Sequence, residues 1–431
     1  MKTQNPYPSA DAIPGRSNFK SYFMAGFECS SHQLRSGRRL DMINATRHDT
    51  FALQDYARIK DHGMRTAREG VRWHLVEPTP GSYDFASVLP IARAAEATET
   101  QVIWDLCHFG WPEDIDIFKP EFVTRLANFG AAFAQFLQTE TNLGPYFVPV
   151  NEISFFSWAG GEEGGLNPHA TGRGFELKCQ LVRASIAAMK AIWAVNSRAR
   201  FVHVDPIIHV VAHPKRPQER AQAEAYRLSQ FQSWDMLGGR LWPELGGAEK
   251  YLDIIGVNFY FHNQWIYDIK GFRRSHEFEP LRRTDPLYRP LREILAEVYE
   301  RYHRPMFMAE TGAENEARAD WLRYVGNETE AAIRQGVPVD GICLYPILNH
   351  PGWNDGRHCH NGLWDYADKN GNREIYQPLA AQLRRCQKVF ESLVPPPVEL
   401  AKQPAHNGKK HRSRRSGPVK LTKAHRATVN Q

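Results

Sequence analysis

YFMAG (22–26), DTFALQDYARIKDHG (49–63) and RTARE (65–69) read in succession as strand, helix and strand, and this unit decides the fold class. In the middle segment Phe51, Leu53, Tyr56 and Ile59 recur at roughly helical spacing. Asp49 is placed to cap the start of the helix and Gly63 to end it. Short apolar, β-branched runs that alternate with longer helical patterns argue for parallel strands joined by helical crossovers. The alternation continues through eight candidate strands, at 22–26, 65–69, 101–106, 146–150, 201–205, 254–258, 306–309 and 341–345. Helical patterns fill the gaps, notably 121–137, 176–195, 218–237, 291–303 and 320–335. Eight such units in series predict an α/β chain folded as a (β/α)8 TIM barrel, one domain with loop insertions. The polar, aperiodic stretch 263–287 reads as an insertion after the sixth strand. An open doubly wound sheet competes, but no GxGxxG turn follows the first strand, and no second glycine follows Gly26 before Gly37.

With 431 residues, 42% of them hydrophobic and 12% aromatic, the chain has material for a large core, enough for one barrel or two ordinary domains. No run approaches the roughly 18 apolar residues of a membrane span, and residues 1–20 lack the apolar core of a secretory signal. The six cysteines are scattered without a CxxC pair, as expected of reduced thiols. A cytoplasmic protein without a membrane partner is therefore expected. The net charge of +6 is concentrated at one end: residues 401–431 hold nine of the 54 Lys/Arg and no acid, which leaves 45 basic against 48 acidic residues before them. The domain reading is an N-terminal extension (1–20), the barrel (21–395) and a basic disordered tail (396–431). The tail has little to bury; it reads as a solvated solubility tail, with a weak nucleic-acid or anionic-surface contact as the other reading.

In a parallel barrel the chemistry sits at the C-terminal ends of the strands. Those ends here carry Arg68, His108, Asn151 and Glu152, Asn258 and Tyr260, Glu310, and Trp353. Glu152 and Glu310 follow buried strands, where an unpaired charge is costly. Two such carboxylates suit glycoside hydrolysis, which needs one protonated carboxyl to donate to the leaving oxygen and one ionised carboxylate to attack or to activate water. Each taken alone fits equally well as an ordinary strand-end ion-pair partner.

These residues resemble family 1 of the glycoside hydrolases, the β-glucosidase and β-galactosidase group of the barrel glycosidases, over most of residues 22–380. FMAGFECSSHQ places Gln33 seven residues after Gly26, REGVRWHLVEP supplies Arg68, Trp73 and Pro78, and CHFGWP supplies His108 and Pro112. PVNEI keeps Asn151 and Glu152 with Ile153 where the family has Pro, GVNFY supplies Tyr260, and MAETGAE supplies Glu310. The resemblance implies a retaining β-glycosidase with Glu152 as acid/base and Glu310 as nucleophile. It implies that Arg68 and Tyr260 support the nucleophile, and that Gln33, His108, Asn151, Tyr260 and Trp353 contact the sugar of a small β-glycoside or oligosaccharide. No cofactor and no metal are implied. Two readings stay beside it: a transglycosidase, and a barrel that binds sugar without turnover.

The chain departs from the family after the eighth strand. YPILNHPGW has Tyr345 in place of a stacking Trp and Gly352 in place of the Glu that grips distal hydroxyls, and only Trp353 stands. The glucose or galactose preference therefore does not carry over. In HPGWNDGRHCHNGLWDY, a sugar-contacting loop in which His358 or Arg357 replaces the lost Glu stands against a solvated loop with Trp353 and Trp364 packed on the rim. A metal site at His350, His358, Cys359 and His360 is disfavoured, because no second ligand pair lies at zinc spacing. His203 and Asp205 are expected behind the site, Trp104 inside the barrel, His32 equally in a structural role or beside Gln33 at the site, and Glu162 and Glu163 in solvent on a glycine-rich loop.

Overall fold

The computed structural model describes residues 18–268 and 280–394. The basic tail, most of the N-terminal extension and the middle of the expected insertion lie outside the described residues. Eight parallel strands close into a barrel in chain order: β1 (Phe23–Gly26), β2 (Thr66–Gly70), β3 (Gln101–Asp105), β4 (Tyr146–Val148), β5 (Arg200–Pro206), β6 (Ile254–Asn258), β7 (Met306–Thr311) and β8 (Val339–Leu344). β8 closes on β1 through Phe23 opposite Ile342 and Ala25 opposite Leu344. All eight expected strands are present, each within two residues of its expected ends.

The strands are buried on both faces because helices cover the outside and side chains fill the inside. Met24, Ile103, Val148, Val202, Val204, Phe307, Ala309 and Cys343 form the inner core. Their strand neighbours Phe23, Val102, Trp104, Phe147 and Met306 join the larger core between strands and helices. Trp104 is thus outside the barrel and not within it: its ring meets Phe133 edge-on at 5.4 Å, because strand residues alternate faces and Ile103 takes the inward position. Phe19, read as part of the extension, belongs to the barrel. It is buried and packs on Phe307 with ring centroids 4.7 Å apart, closing the end away from the site at a gain of about 1.5–3 kcal/mol for a buried ring.

Helices His48–Asp61, Pro120–Glu140, Gly174–Val195, Leu291–Tyr302 and Ala317–Arg334 match the periodic segments. Asp49 does not cap the first of these. The cap position is Arg47, with φ 58° and no side-chain bond, and Asp49 instead accepts from Arg72 Nη1 at 3.0 Å. The segment expected as one helix over 218–237 is broken by a 3-10 turn at Ser229–Phe231 between Arg220–Leu228 and Gln232–Leu237. The start of the expected insertion is not irregular: Gln264–Tyr267 pairs in parallel with His209–Ala212. This short ribbon rises beside the strand ends and brings Trp265 to the cavity described next.

Candidate active site

A cavity of about 700 Å³ opens at the C-terminal ends of the strands, with Glu28, His108, Glu152, Tyr260, Glu310, Tyr345 and Trp353 among its lining. Behind this lining lies Arg68, the third residue of β2, which is fully buried. The Arg68 guanidinium fork makes a two-point contact with Asp105, Nε to Oδ1 at 3.1 Å and Nη2 to Oδ2 at 2.6 Å. It also donates to Asn151 Oδ1 at 2.6 Å and, through Nη1, to Glu310 Oε1 at 2.5 Å. Burial opposes the charge of Asp105, but Arg68 and His108 outweigh it and hold its carboxyl below the usual range. A cation at this depth is tolerable only with such a full set of acceptors.

Glu310, on β7, accepts at both oxygens, the second from the Tyr260 hydroxyl at 2.9 Å. Burial and the neighbouring Glu310 charge push the Tyr260 phenol well up, so it stays a donor. Each oxygen thus accepts one hydrogen bond, one of them from a cation.

Glu152 is placed differently. It lies just beyond β4 with φ 47° and ψ 58°, a left-handed conformation that is uncommon away from glycine. Its N–H donates to Val204 O at 3.0 Å and its carbonyl accepts from Phe156 N at 2.7 Å, so both neighbours hold the strained turn. The side chain receives one neutral donor, Asn258 Nδ2 at 2.7 Å. Burial and then the Glu310 charge raise its pKa well above the carboxylate range, with Asp205 adding to this and Asn258 and Arg68 opposing. The two glutamates therefore share one cavity in opposite environments.

His108 lies with Nδ1 2.8 Å from Asp105 Oδ2 and Nε2 3.2 Å from Asn151 Nδ2, and its ring runs parallel to Tyr345 at 6.2 Å. Asn151 stands behind the lining, its amide engaged at both ends by Arg68 and His108. Trp353 lines the cavity, half-buried, edge-on to His32 and Phe109. Gln33 is not brought to the cavity. A turn at Gly37, with φ 82°, folds the chain back so that Gln33 bridges to Arg39, away from the lining. Glu28, five residues earlier, takes the place on the cavity wall.

His32 is buried, and burial lowers its pKa to about 4, which fits a neutral packing role. Asp205 and His203 are buried behind the lining. Asp205 accepts from Ser154 N at 2.9 Å and from the Ser233 hydroxyl, and burial raises its pKa to about 6. The stretch expected as a loop after Glu152 begins as a π-helical turn, Ser157–Glu162, and Glu162 accepts from Gly174 N at 3.1 Å. Arg357 is closed on Glu314 at 2.8 and 2.7 Å, and His358 sits 2.8 Å from Asp365.

Asp105, Glu28 and Glu314 had no assigned role in the sequence, and Asn258 appeared only as a strand end. Asp105 carried a usable signal, since it is an acid interrupting the apolar run of the third strand. Among the described residues two groups bring metal-type ligand atoms within 4.8 Å of one another: Cys29, Asp105 and His108, and the surface group His358, His360 and Asp365. In the first, Asp105 is already taken by Arg68. No helix among the described residues is long and apolar enough to cross a membrane.

No protein-family model matches the chain, and no curated protein matches it in sequence. In three dimensions it is similar to the AHE enzyme from Alicyclobacillus herbarius, at 16% identity and a TM-score of 0.70 over 85% of this chain and 98% of that one. It is also similar to a β-glucosidase from Thermotoga maritima in complex with glucoimidazole, at 14% identity and a TM-score of 0.69 over 86% and 99%. A structure described as a family 1 β-glucosidase from Thermotoga maritima aligns at 15% identity and a TM-score of 0.66 over 86% and 99%. At these identities the likeness establishes the fold, a barrel of the kind those glycosidases use.

Proposed function

We propose that this chain is a retaining β-glycosidase that hydrolyses a small β-glycoside or oligosaccharide, with Glu310 as nucleophile and Glu152 as acid/base. The observation that carries the reading is the pair of glutamates in one cavity with opposed environments, Glu310 held by Arg68 and Tyr260, and Glu152 held by the neutral amide of Asn258. A pair separated in this way can divide acid and nucleophile roles between chemically identical side chains. The fold likeness to β-glucosidases adds support at the level of architecture.

In the first step a Glu310 oxygen attacks the anomeric carbon while the Glu152 proton passes to the glycosidic oxygen, which leaves as an alcohol. The bond formed is a glycosyl ester on Glu310. Esterification removes the Glu310 charge, and with it one cause of the raised Glu152 pKa. Glu152 then takes a proton from water, whose oxygen attacks the anomeric carbon and releases Glu310 as carboxylate. Arg68 is anchored by Asp105 and so keeps one position while the negative charge on Glu310 falls and returns.

The test is a panel of aryl β-glycosides of several sugars, followed by a 2-deoxy-2-fluoro glycoside with a good leaving group. The expected result is turnover of at least one glycoside and a fluoroglycosyl ester on the peptide that contains Glu310. Absence of both turnover and label would sink the assignment.

A further inference from the structure

Glu28 lies two residues past the end of β1, is buried, and lines the cavity. Its Oε1 accepts from Ser30 N at 3.1 Å and from the Ser30 hydroxyl. Its other oxygen accepts from no group, and no cation pairs with it, among the described residues. Burial opposes its charge, yet His108, His350 and the Ser30 donors outweigh this and keep the carboxyl below its usual range. An ion so placed is costly unless a donor meets the free oxygen.

Three positions considered from the sequence for gripping sugar hydroxyls do not offer a free side chain to the cavity. Gly352 has no side chain, and a Cβ there would stand 2.1 Å from Asp355 Oδ1. Arg357 is closed on Glu314, and Gln33, whose backbone bridges to Arg39, is not part of the lining.

We propose that Glu28 determines sugar specificity: its free oxygen accepts hydrogen bonds from hydroxyls of a neutral glycone, and its charge excludes glycones that carry a carboxylate. The inference rests on the glycosidase reading and names the substrate class of that site. Sugar hydroxyls are the donors that fit an unpaired acceptor in a cavity this size. A uronic acid would set a second anion against Glu28 within the cavity.

Glu28→Gln gives a sharp probe. The two Ser30 donors keep the amide oxygen on their side, so the –NH2 faces the cavity and an acceptor becomes a donor with little change in shape. The experiment measures kcat/KM of wild type, Glu28→Gln and Glu28→Ala with 4-nitrophenyl β-glycosides of glucose, galactose, fucose, xylose and glucuronic acid. Wild type should favour at least one neutral sugar over the glucuronide by about 100-fold or more. Both variants should lose roughly 10- to 150-fold on that sugar, the range for a hydrogen bond to a charged group. The neutral-to-glucuronide ratio should shrink by at least about tenfold, as the charge is gone. Both should still accept the fluoroglycosyl label at Glu310, which verifies that fold and nucleophile are intact.

An unchanged ratio in labelled variants, or a wild type that prefers the glucuronide, overturns the role of Glu28 and leaves the glycosidase reading standing. A wild type that is neither active nor labelled overturns both.

Discussion

Replacing Glu152 by alanine removes the acid while leaving Glu310 and its two donors in place. Asn258 Nδ2 then loses its acceptor at 2.7 Å. Because Glu152 itself lines a cavity of about 700 Å³, water can take the vacated position. The stability cost should therefore sit at the low end of the range for a lost partner, about 1 kcal/mol. The variant should fold, and its loss of rate should report chemistry. General acid assistance contributes about 10²- to 10⁴-fold, or roughly 3–5 kcal/mol of barrier. That loss should appear in kcat/KM for alkyl and unactivated phenyl β-glycosides, whose leaving oxygen needs the proton. With a 2,4-dinitrophenyl glycoside the first step needs little help, so kcat/KM should stay near wild type while kcat falls as the ester on Glu310 waits for a base. Azide is small enough for the space left by the carboxyl, and esterification of Glu310 removes the largest neighbouring negative charge. It should restore kcat and yield the β-glycosyl azide. An equal loss for every leaving group, no response to azide, or an α-azide product would refute the assignment of Glu152.

Three further outcomes follow from named contacts. Asn258→Ala removes a donor that favours the charged form of Glu152, so the acid form should persist to higher pH and the alkaline limb of kcat/KM should move upward; a limb that stays or moves down counts against the contact. A Cβ on Gly26 would stand 2.1 Å from Tyr345 Cδ2. Gly26→Ala should therefore cost about 1–3 kcal/mol in urea unfolding and lower activity by displacing the ring that lies parallel to His108. His48 is fully buried between Asp55 and Glu69 at 2.8 Å each; burial opposes its charge, but Glu69 and Asp55 raise its pKa to about 9. A folded pKa above the unfolded value near 6.5 means stability that is fully present below about pH 6.5 and lost as pH rises through 9. The advantage of wild type over His48→Gln should shrink by about 3 kcal/mol between pH 6 and 10, and a constant difference in urea unfolding would show that His48 is not charged.

Much of the barrel was legible because strand and helix periods are local properties. The runs around Val102, Val204 and Ile255 could be placed without knowing their partners. The misreadings came where local pattern is silent. Trp104 follows the inward Ile103, and only strand pairing decides which face each takes. Polar residues 264–267 look irregular until His209–Ala212 is beside them. Asp49 has the right residue type for a cap, but Arg72 is a better-placed partner.

The site divides along the same line. The sequence by itself determined which groups are available at the strand ends, namely Arg68, His108, Glu152, Tyr260 and Glu310, because a residue that ends an apolar strand of a parallel barrel has one destination. Their ionic pairing was decided only by the tertiary structure. Asp105 and Glu310 share Arg68 from strands that are far apart in the chain, and Asn258 reaches Glu152 from the end of β6. Tertiary structure also left Gln33 out of the lining, its backbone bridged to Arg39 across the turn at Gly37, and set Glu28 in the wall. Spacing along a chain records which side chains leave the barrel together. The charges and hydrogen bonds that fix their chemistry act through space, and space is set only when the barrel closes.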